Sequence, residues 1–311
     1  MSCLLFVMAG CSGHSKNLKF GAADIGGVYY SFASTFTQLA DNEIDGYTFE
    51  TKTTAGSVAN LRLISDGYID LAIVQADLLS DAYNATGTFA DKKYQKGYKA
   101  VASLYTECCQ IVVRKDSGIT GIDDLINKTV SVGASESGTE KNAEQILKMS
   151  GITDELINKV NMDYTEAAEK LKAGEIDAFF CTAGTRTEVI GQLSKECDIC
   201  LISLDDKCID KMLSAYSLCE KYTIPAGTYN GQDSDVTTIG VKAVLIAKQS
   251  LSDDVIKNVT KTIYEHADDF KYATSLDISF DINTAADGVD IPFHSGAAAY
   301  YTERGINVLT E

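Results

Sequence analysis

The sequence contains one pattern twice, and this repeat constrains the fold more than any other feature. The first copy, at residues 63–73, reads LISDGYIDLAI, and the second, at residues 171–180, reads LKAGEIDAFF. In each copy an amphipathic helix ends at a glycine, which turns the chain at low steric cost. The apolar run that follows is typical of a buried parallel strand. The repeat therefore predicts two similar α/β lobes that face each other across a cleft, where ligands usually bind.

Strands alternate with helices along the rest of the chain, which predicts an α/β fold with a mostly parallel sheet in each lobe. A strand at 101–105 is predicted to complete the sheet of the first lobe. Apolar runs at 110–117 and 244–250 are predicted to be the strands that cross between the lobes. Residues 253–270 are predicted to form a single long helix. The expected domains are a signal and tether (1–17), lobe 1 (18–107 with 240–311) and lobe 2 (108–239).

The N-terminus is predicted to be a lipoprotein signal. Residues 4–10 read LLFVMAG, an apolar run that ends in small residues directly before Cys11. This resembles a bacterial lipobox, in which Cys11 carries the lipid after cleavage. A chance apolar start with a buried cysteine is the alternative, and no Lys or Arg precedes the run, as in a truncated signal. The run is too short to span a bilayer, so we expect an extracytoplasmic protein held at the membrane by lipid.

Charge and cysteine spacing exclude several partners. A formal net charge of -17 leaves no basic face for phosphates, so we expect no nucleic-acid partner. The nine cysteines do not form the spacing of a disulfide framework. Cys197 and Cys200 make one close pair, whereas a structural zinc site needs two such pairs or their histidine equivalents. We expect free thiols, no metal and no cofactor, with a metal or redox site at this pair as the alternative.

Three turns rich in Gly and Ser lie between a strand and a helix, at residues 25–30, 54–60 and 135–139. A helix N-terminus exposes unpaired N–H groups and a partial positive charge, so it binds anions without a basic side chain. Any one turn can be a plain helix cap. Three turns divided between two facing lobes favour an anion site. Neither a Walker-type loop nor a GxGxxG motif is present, so we expect no nucleotide.

Taken together, these motifs resemble the TAXI solute-binding proteins, which are the extracytoplasmic subunits of ion-gradient-driven TRAP transporters. The resemblance covers nearly the whole chain from Leu18 onward. It is carried by GGVYY at 26–30, AGSVANL at 55–61, LY at 104–105, DDL at 123–125, SGT at 137–139, IDAFF at 176–180, SGA at 295–297 and YY at 300–301. It implies a two-lobed periplasmic-binding-protein type II fold with crossing strands at the hinge, partnership with TRAP membrane subunits, and a small organic anion as ligand. Glutamate or a related amino or dicarboxylic acid is the class implied. A lipobox departs from the usual family form, which diffuses freely in the periplasm. We also expect the protein to be a monomer.

The resemblance also implies ligand contacts in both lobes. Those of lobe 1 would be Gly27, Val28, Tyr29, Tyr30, Ser57, Asn60 and Gln75, with Tyr105 near the hinge. Those of lobe 2 would be Ser137, Gly138, Thr139, Thr182 and Ala183. Gln75 and Thr182 each follow the strand of one repeat copy, as the internal symmetry requires. Arg186 is predicted to be the cation for a ligand carboxylate, with a surface position as the alternative.

Two other functions remain open from the sequence, although we predict a binding protein that is not an enzyme. An enzyme built on the same two lobes would need a nucleophile or a base in the cleft. Its candidates are Cys108, Cys109, His266 and His294, and nothing in the sequence places a histidine beside a cysteine. The other alternative is a ligand-binding lipoprotein that serves a sensor kinase.

Overall fold

The computed structural model describes residues 15–91, 96–275 and 280–311. Cys11, the predicted lipid attachment site, lies outside the described residues. Within these three ranges, none of the helices has both the length and the apolar character required to cross a bilayer.

The strands of the described residues form one sheet that runs through both lobes, in the order β2-β1-β3-β10-β4-β7-β5-β6, with β8 on β4 and β9 on β10. β1 is parallel to β2 and β3, and β5 is parallel to β6 and β7. The strands are β1 (Lys16–Gly21), β2 (Tyr47–Lys52), β3 (Leu71–Gln75), β4 (Tyr98–Arg114), β5 (Thr129–Ser131), β6 (Asn158–Val160), β7 (Ala178–Ala183), β8 (Ile199–Leu201), β9 (Cys219–Ile224) and β10 (Val236–Lys248). The predicted α/β class is confirmed.

Helices cover the sheet, and each buries an apolar face against it or against a neighbouring helix. Helix α8, for example, buries Val255, Ile256, Val259 and Ile263. The helices are α1 (Val28–Glu43), α2 (Ser57–Ser65), α3 (Ala76–Asn84), α4 (Gly138–Met149), α5 (Tyr164–Ala173), α6 (Glu188–Glu196), α7 (Asp206–Ala215), α8 (Asp253–Glu265), α9 (Ala267–Thr274) and α10 (Ser295–Thr302). We call β1–β3 with α1–α3 and α8–α10 lobe 1, and β5–β9 with α4–α7 lobe 2.

Two long antiparallel strands, β4 and β10, connect the lobes. The prediction of separate strands at 101–105 and 110–117 is wrong, because β4 is continuous from Tyr98 to Arg114. Glu107 interrupts the apolar pattern of this segment in the sequence, but its side chain is buried inside the protein. β10 likewise begins at Val236, well before the predicted start of its crossing segment.

The helix predicted over 253–270 is also wrong, because α8 and α9 are separate helices that meet at His266. His266 has φ -113° and ψ 29°, outside the helical range. Its Nε2 lies 2.6 Å from Glu43 Oε1 and its Nδ1 lies 2.9 Å from Asp269 Oδ2. The break turns α9 onto α1, where the Phe270 and Phe32 rings stack with centroids 4.4 Å apart.

Candidate functional site

A cavity lies between the two lobes, and clefts of this kind are common positions for small-molecule sites. The predicted contact residues that line it are Gly27, Val28, Tyr29, Ser57, Gln75, Ser137, Gly138, Thr139, Thr182 and Ala183. The lining residues outside the predicted contact set are Ala23, Asp24, Ala55, Gly56, Glu107, Ala134, Asp163 and Tyr164, of which Ala55 and Gly56 lie in the predicted turn at 54–60. The structure therefore brings all three predicted turns to one cavity.

Four helices begin at this cavity: α1 and α2 from lobe 1, and α4 and α5 from lobe 2. Ser137 caps α4 by accepting a hydrogen bond from a first-turn N–H at 2.9 Å, and Asp163 caps α5 in the same way at 2.8 Å. Helices α1 and α2 follow Gly27 and Gly56, which have no side chain that could cap them, although the first-turn N–H of Ala59 in α2 donates to Glu136 O across the cleft. The N-termini of α1 and α2 are therefore the ones best suited to a bound anion.

Two glycines allow the lobes to approach each other closely. Gly56 has φ +118°, a conformation that L side chains rarely adopt, and a Cβ there would lie 3.5 Å from Ser137 Cα. A Cβ at Gly138 would lie only 2.5 Å from Gln75 Cδ. The turn before α2 is therefore in contact with the start of α4, and the structure shows the cleft closed.

Hydrogen bonds and an ion pair also join the lobes. The Ala59 N–H donates to Glu136 O at 3.1 Å. Gln75 Nε2 donates to Asn142 Oδ1 at 3.0 Å. The Arg62 guanidinium donates to both carboxylate oxygens of Glu136, at 3.2 and 2.6 Å. These contacts hold the two lobes together in the closed arrangement.

Replacing Arg62 with alanine should shift the protein modestly toward the open form. The Arg62 and Glu136 side chains are 32% and 43% exposed, so solvent screens their attraction. Such pairs contribute about 0.2–1 kcal/mol, which changes the ratio of closed to open protein roughly 1.4- to 5-fold. Small-angle X-ray scattering should show a larger radius of gyration. Glu136→Gln keeps the backbone carbonyl that accepts from Ala59 and should increase the radius of gyration in the same way. Added salt should reduce the difference between each variant and the parent. If the variants scatter like the parent at low salt, the prediction is wrong.

The cavity contains a buried carboxyl group. Glu107 is 3% exposed, and its Oε2 accepts a hydrogen bond from Tyr29 OH at 2.8 Å. Burial raises the pKa of Glu107 to about 8. Hydrogen bonds from Tyr29 and Gln75 lower this pKa, and nearby Asp77 raises it, but burial has the largest effect. Glu107 therefore keeps its proton at neutral pH in the closed form.

Replacing Glu107 with glutamine should stabilise the protein at pH 7.5 and flatten its pH dependence. The carboxyl has a pKa of 4.5 when unfolded and about 8 when folded. The folded state therefore binds more protons between these values, and the free energy of unfolding falls as pH rises through this window. Between pH 5 and 8, the melting temperature of the parent should fall more than that of the variant. Exposed Glu175→Gln is the control, and parallel slopes for all three proteins would refute the assignment.

Two further carboxyl groups lie at the cavity, one from each lobe. Asp24 precedes α1, and Asp163 begins α5. Burial raises the pKa of Asp24, and the charge of Asp163 raises it further, although backbone N–H groups including that of Tyr164 lower it. Asp24 Oδ2 is buried without a hydrogen-bond partner. Among the described residues that line the cavity, none is Lys, Arg or His.

A hydroxyl network fixes the lobe 2 side of the cavity. Tyr164 OH donates to Thr182 O at 3.0 Å, and Thr182 N–H donates to Thr139 Oγ1 at 3.1 Å. Since the Tyr164 proton is already used, the Thr139 hydroxyl donates to the Tyr164 oxygen beside it. These bonds hold the first turns of α4 and α5 against the end of β7.

Four predicted contact residues are not among those that line the cavity: Tyr30, Asn60, Tyr105 and Arg186. Asn60 is fully buried, and its Nδ2 donates to backbone oxygens at the ends of β1 and within β3, at 2.7 and 2.9 Å. Tyr105 is buried, Tyr30 is half-buried, and Arg186 is exposed with φ +65°. Asn60 therefore fixes the strand ends near the cavity, and Arg186 lies at the surface.

The candidate nucleophiles and bases of an enzyme are also not among the lining residues. Cys108 and Cys109 are buried free thiols, and burial raises the pKa of both, which disfavours the reactive thiolate. His294 Nδ1 accepts the Gly296 N–H at 3.2 Å and caps α10. Cys197 and Cys200 are half-buried and free.

Sequence reasoning missed the acidic residues of the site. Asp163 had a usable signal, because Asp followed three residues later by Glu166 at the start of a helix is a capping pattern. Glu107 had no usable sequence signal, because a single acidic residue within an apolar run does not indicate which side of the strand faces a cleft. Asp24 lies in the turn before Gly26, one residue upstream of the motif that was considered.

Several solved structures are similar to this chain. The PhnD1 protein of Prochlorococcus marinus, in complex with methylphosphonate, is 12% identical with a TM-score of 0.59, and the match covers 85% of this chain and 93% of that one. The ligand-binding component of an ABC-type import system from Staphylococcus aureus, with zinc bound, is 12% identical with a TM-score of 0.53, covering 93% and 92%. An ancestral arginine-binding protein bound to arginine is 14% identical with a TM-score of 0.51, covering 84% and 98%.

At these identities the likeness shows the fold alone, and that fold is the periplasmic-binding-protein type II fold implied by the sequence resemblance. The model of the NMT1-like family matches residues 20–305 of this chain. The match includes every turn that begins a helix at the cavity. The chain therefore belongs to the NMT1-like family.

Proposed function

We propose that this protein is the extracytoplasmic solute-binding component of a membrane importer and that it holds a small organic acid between its lobes. The observation that carries the proposal is the convergence of four helix N-termini from two lobes on one closed cavity. Such N-termini are suited to a carboxylate or a similar anion. The starts of α1 and α2, after Gly27 and Gly56, have no side-chain cap and are the proposed carboxylate site.

The proposed mechanism is a change between open and closed forms. A solute that contacts both lobes favours the closed form by the difference between its affinities for the two forms. The closed form then docks on the membrane subunits and releases the solute to them. The contacts of Arg62 and Gln75 across the cleft are broken at that step. No covalent step on the solute is part of the proposal.

Two classes of membrane partner are supported by different observations. The ordered motifs from GGVYY at 26–30 to YY at 300–301 resemble the TAXI subunits of TRAP transporters, which use ion gradients. The Staphylococcus aureus neighbour is described as part of an ABC-type import system, which uses ATP. We favour the TRAP assignment, because it rests on the sequence of this chain along most of its length. Lipid attachment at Cys11 and a monomeric state belong to the same proposal.

Binding of small acids tests the proposed function directly. Thermal unfolding and isothermal titration with amino acids, dicarboxylates and other small carboxylates should identify at least one probe that stabilises the protein. That probe should also reduce the radius of gyration if the free protein populates the open form. If no probe produces a thermal shift or heat of binding, the proposed function fails.

Transport assays separate the two partner classes. The protein is added to proteoliposomes that contain the membrane subunits with which it is purified, together with a radiolabelled probe that binds. Under the TRAP assignment, uptake requires an ion gradient and is lost with an ionophore. Uptake that requires internal ATP and survives the ionophore would favour the ABC alternative.

A further inference from the structure

We propose that the solute of this cavity carries a protonated amine and no net negative charge, with Asp24, Glu107 and the Gln75 carbonyl as its specificity-determining contacts. This inference rests on the proposed function and narrows it. It departs from the acidic solutes, such as glutamate, that the family resemblance implies.

The first observation is the charge of the lining. Three carboxyl groups, those of Asp24, Glu107 and Asp163, line the cavity, and no basic side chain lines it in the part of the chain that the structure describes. Asp24 comes from lobe 1 and Asp163 from lobe 2, so closure brings the two carboxyl groups toward each other. A cation placed between them offsets this repulsion. A solute with a second carboxylate would increase it.

The second observation is independent of charge, because it concerns an unpaired acceptor. Gln75 is 2% exposed and lines the cavity, and its Oε1 is buried without a hydrogen-bond partner. Its orientation is fixed by neighbouring amides: Gln75 Nε2 donates to Asn142 Oδ1, and Asn142 Nδ2 donates to Gln145 Oε1 at 3.4 Å. A buried carbonyl oxygen needs a donor, and an ammonium group supplies three.

Together the two observations divide the polar groups of the cavity into donors and acceptors. The N-termini of α1 and α2 provide N–H donors, suited to one carboxylate. Asp24 Oδ2, Gln75 Oε1 and the Glu107 carboxyl provide acceptors, suited to one ammonium. This division fits a neutral or basic amino acid. The side chain of the solute then adds either no charge or a positive charge.

The proposed contact with Glu107 should be measurable as the release of a proton on binding. Glu107 is protonated at neutral pH in the closed form, and an ammonium beside it favours the carboxylate. Binding therefore releases the Glu107 proton to the buffer while the amine keeps its own proton. Tyr29 and Asp77 influence the pKa of Glu107, and Glu107 in turn influences the pKa values of Tyr105, Cys108, Tyr164 and Cys181. Burial is the largest cause of the pKa shift in each of these groups and disfavours its charged form, so Glu107 is the group expected to change.

Isothermal titration at pH 7 with matched probes tests the inference. The probes are the twenty common L-amino acids, 4-aminobutyrate, glutarate, succinate and 4-methylpentanoate. We expect a neutral or basic probe with an amine to bind at least about tenfold more tightly than L-glutamate, glutarate or 4-methylpentanoate. The reason is that burying a carboxylate without a partner costs more free energy than a tenfold difference in affinity represents. The heat of binding should differ between phosphate and Tris buffers because a proton is released.

Two variants distinguish recognition from stability. Glu107→Gln should abolish the buffer dependence and weaken the best amine probe about tenfold or more, although it stabilises the fold. Asp24→Asn should weaken the same probe, and exposed Glu175→Gln should not. Binding of glutarate or L-glutamate as tight as any neutral or basic amino acid would overturn this inference and leave the proposed function standing. No heat from any probe would overturn both.

Discussion

Replacing Gly138 with alanine should prevent the cleft from closing fully and weaken solute binding about 10- to 100-fold. The added Cβ would lie 2.5 Å from Gln75 Cδ and 2.8 Å from Gln75 Nε2 in the closed form. Gln75 cannot move aside freely, because it is 2% exposed and bonded to Asn142. Overpacking of this kind costs about 1–3 kcal/mol, and the cost falls only on the closed form.

Scattering and titration measure the two consequences of this change. The radius of gyration of the Gly138→Ala protein should exceed that of the parent, and the best probe of the titration panel should bind less tightly. The melting temperature should change less than the affinity, since the open form is not strained. Gly191→Ala is the matched control, because nothing lies within 4 Å of a Cβ added at that helix position. Parent-like affinity and dimensions in the Gly138 variant would show that the cleft closes differently.

Replacing Gly296 with alanine should have the largest effect on stability, a loss of about 2–3 kcal/mol. A Cβ at Gly296 would lie 2.9 Å from both the backbone C and the Cα of Asp253, and backbone at the start of α8 cannot rotate away. Helix α10 is held at this end of α8, where Ser295 Oγ donates to Asp253 Oδ1 at 2.5 Å. The alanine therefore displaces α10 from α8.

Thermal or urea unfolding tests this expectation. Gly191→Ala is again the control, but here it is expected to leave stability unchanged or to raise it. Alanine is favoured over glycine inside a helix by up to about 1 kcal/mol, so Gly191→Ala should hold or slightly raise the melting temperature. If Gly296→Ala melts at or above the parent temperature, α10 does not pack on α8 as described. Solute affinity should change little at temperatures where the Gly296 variant is folded, because α10 contributes no lining residue.

The fold was predictable from the sequence to the extent that its signals are local. The start of helix α2 at Ser57 was predictable, because the Gly-Ser turn at 54–60 indicates a helix N-terminus within a few residues. The continuity of β4 could not be predicted, since the buried position of Glu107 depends on Tyr29, which is 78 residues away in sequence. The break at His266 likewise depends on Glu43 of a distant helix.

The candidate site, like the fold, was predictable only where its sequence signals are local. Turns such as 135–139 were recognised because glycine, serine and the strand–helix order are visible within a few residues. The acidic character of the cavity was missed, because Asp24 and Asp163 approach each other only when two lobes close. The prediction of an acidic solute came from the resemblance and the helix N-termini. The structure shows three carboxyl groups in the cavity lining, and they are the reason for proposing a solute that carries a protonated amine.

The position of β10 has a consequence for the order in which the protein is completed. β10 lies between β3 and β4 in the sheet, yet it follows the whole of lobe 2 in the chain. As the polypeptide emerges during synthesis, the first strands made are still without their central neighbour when residue 235 is added. The half of the molecule that begins first is therefore the half whose sheet is completed last.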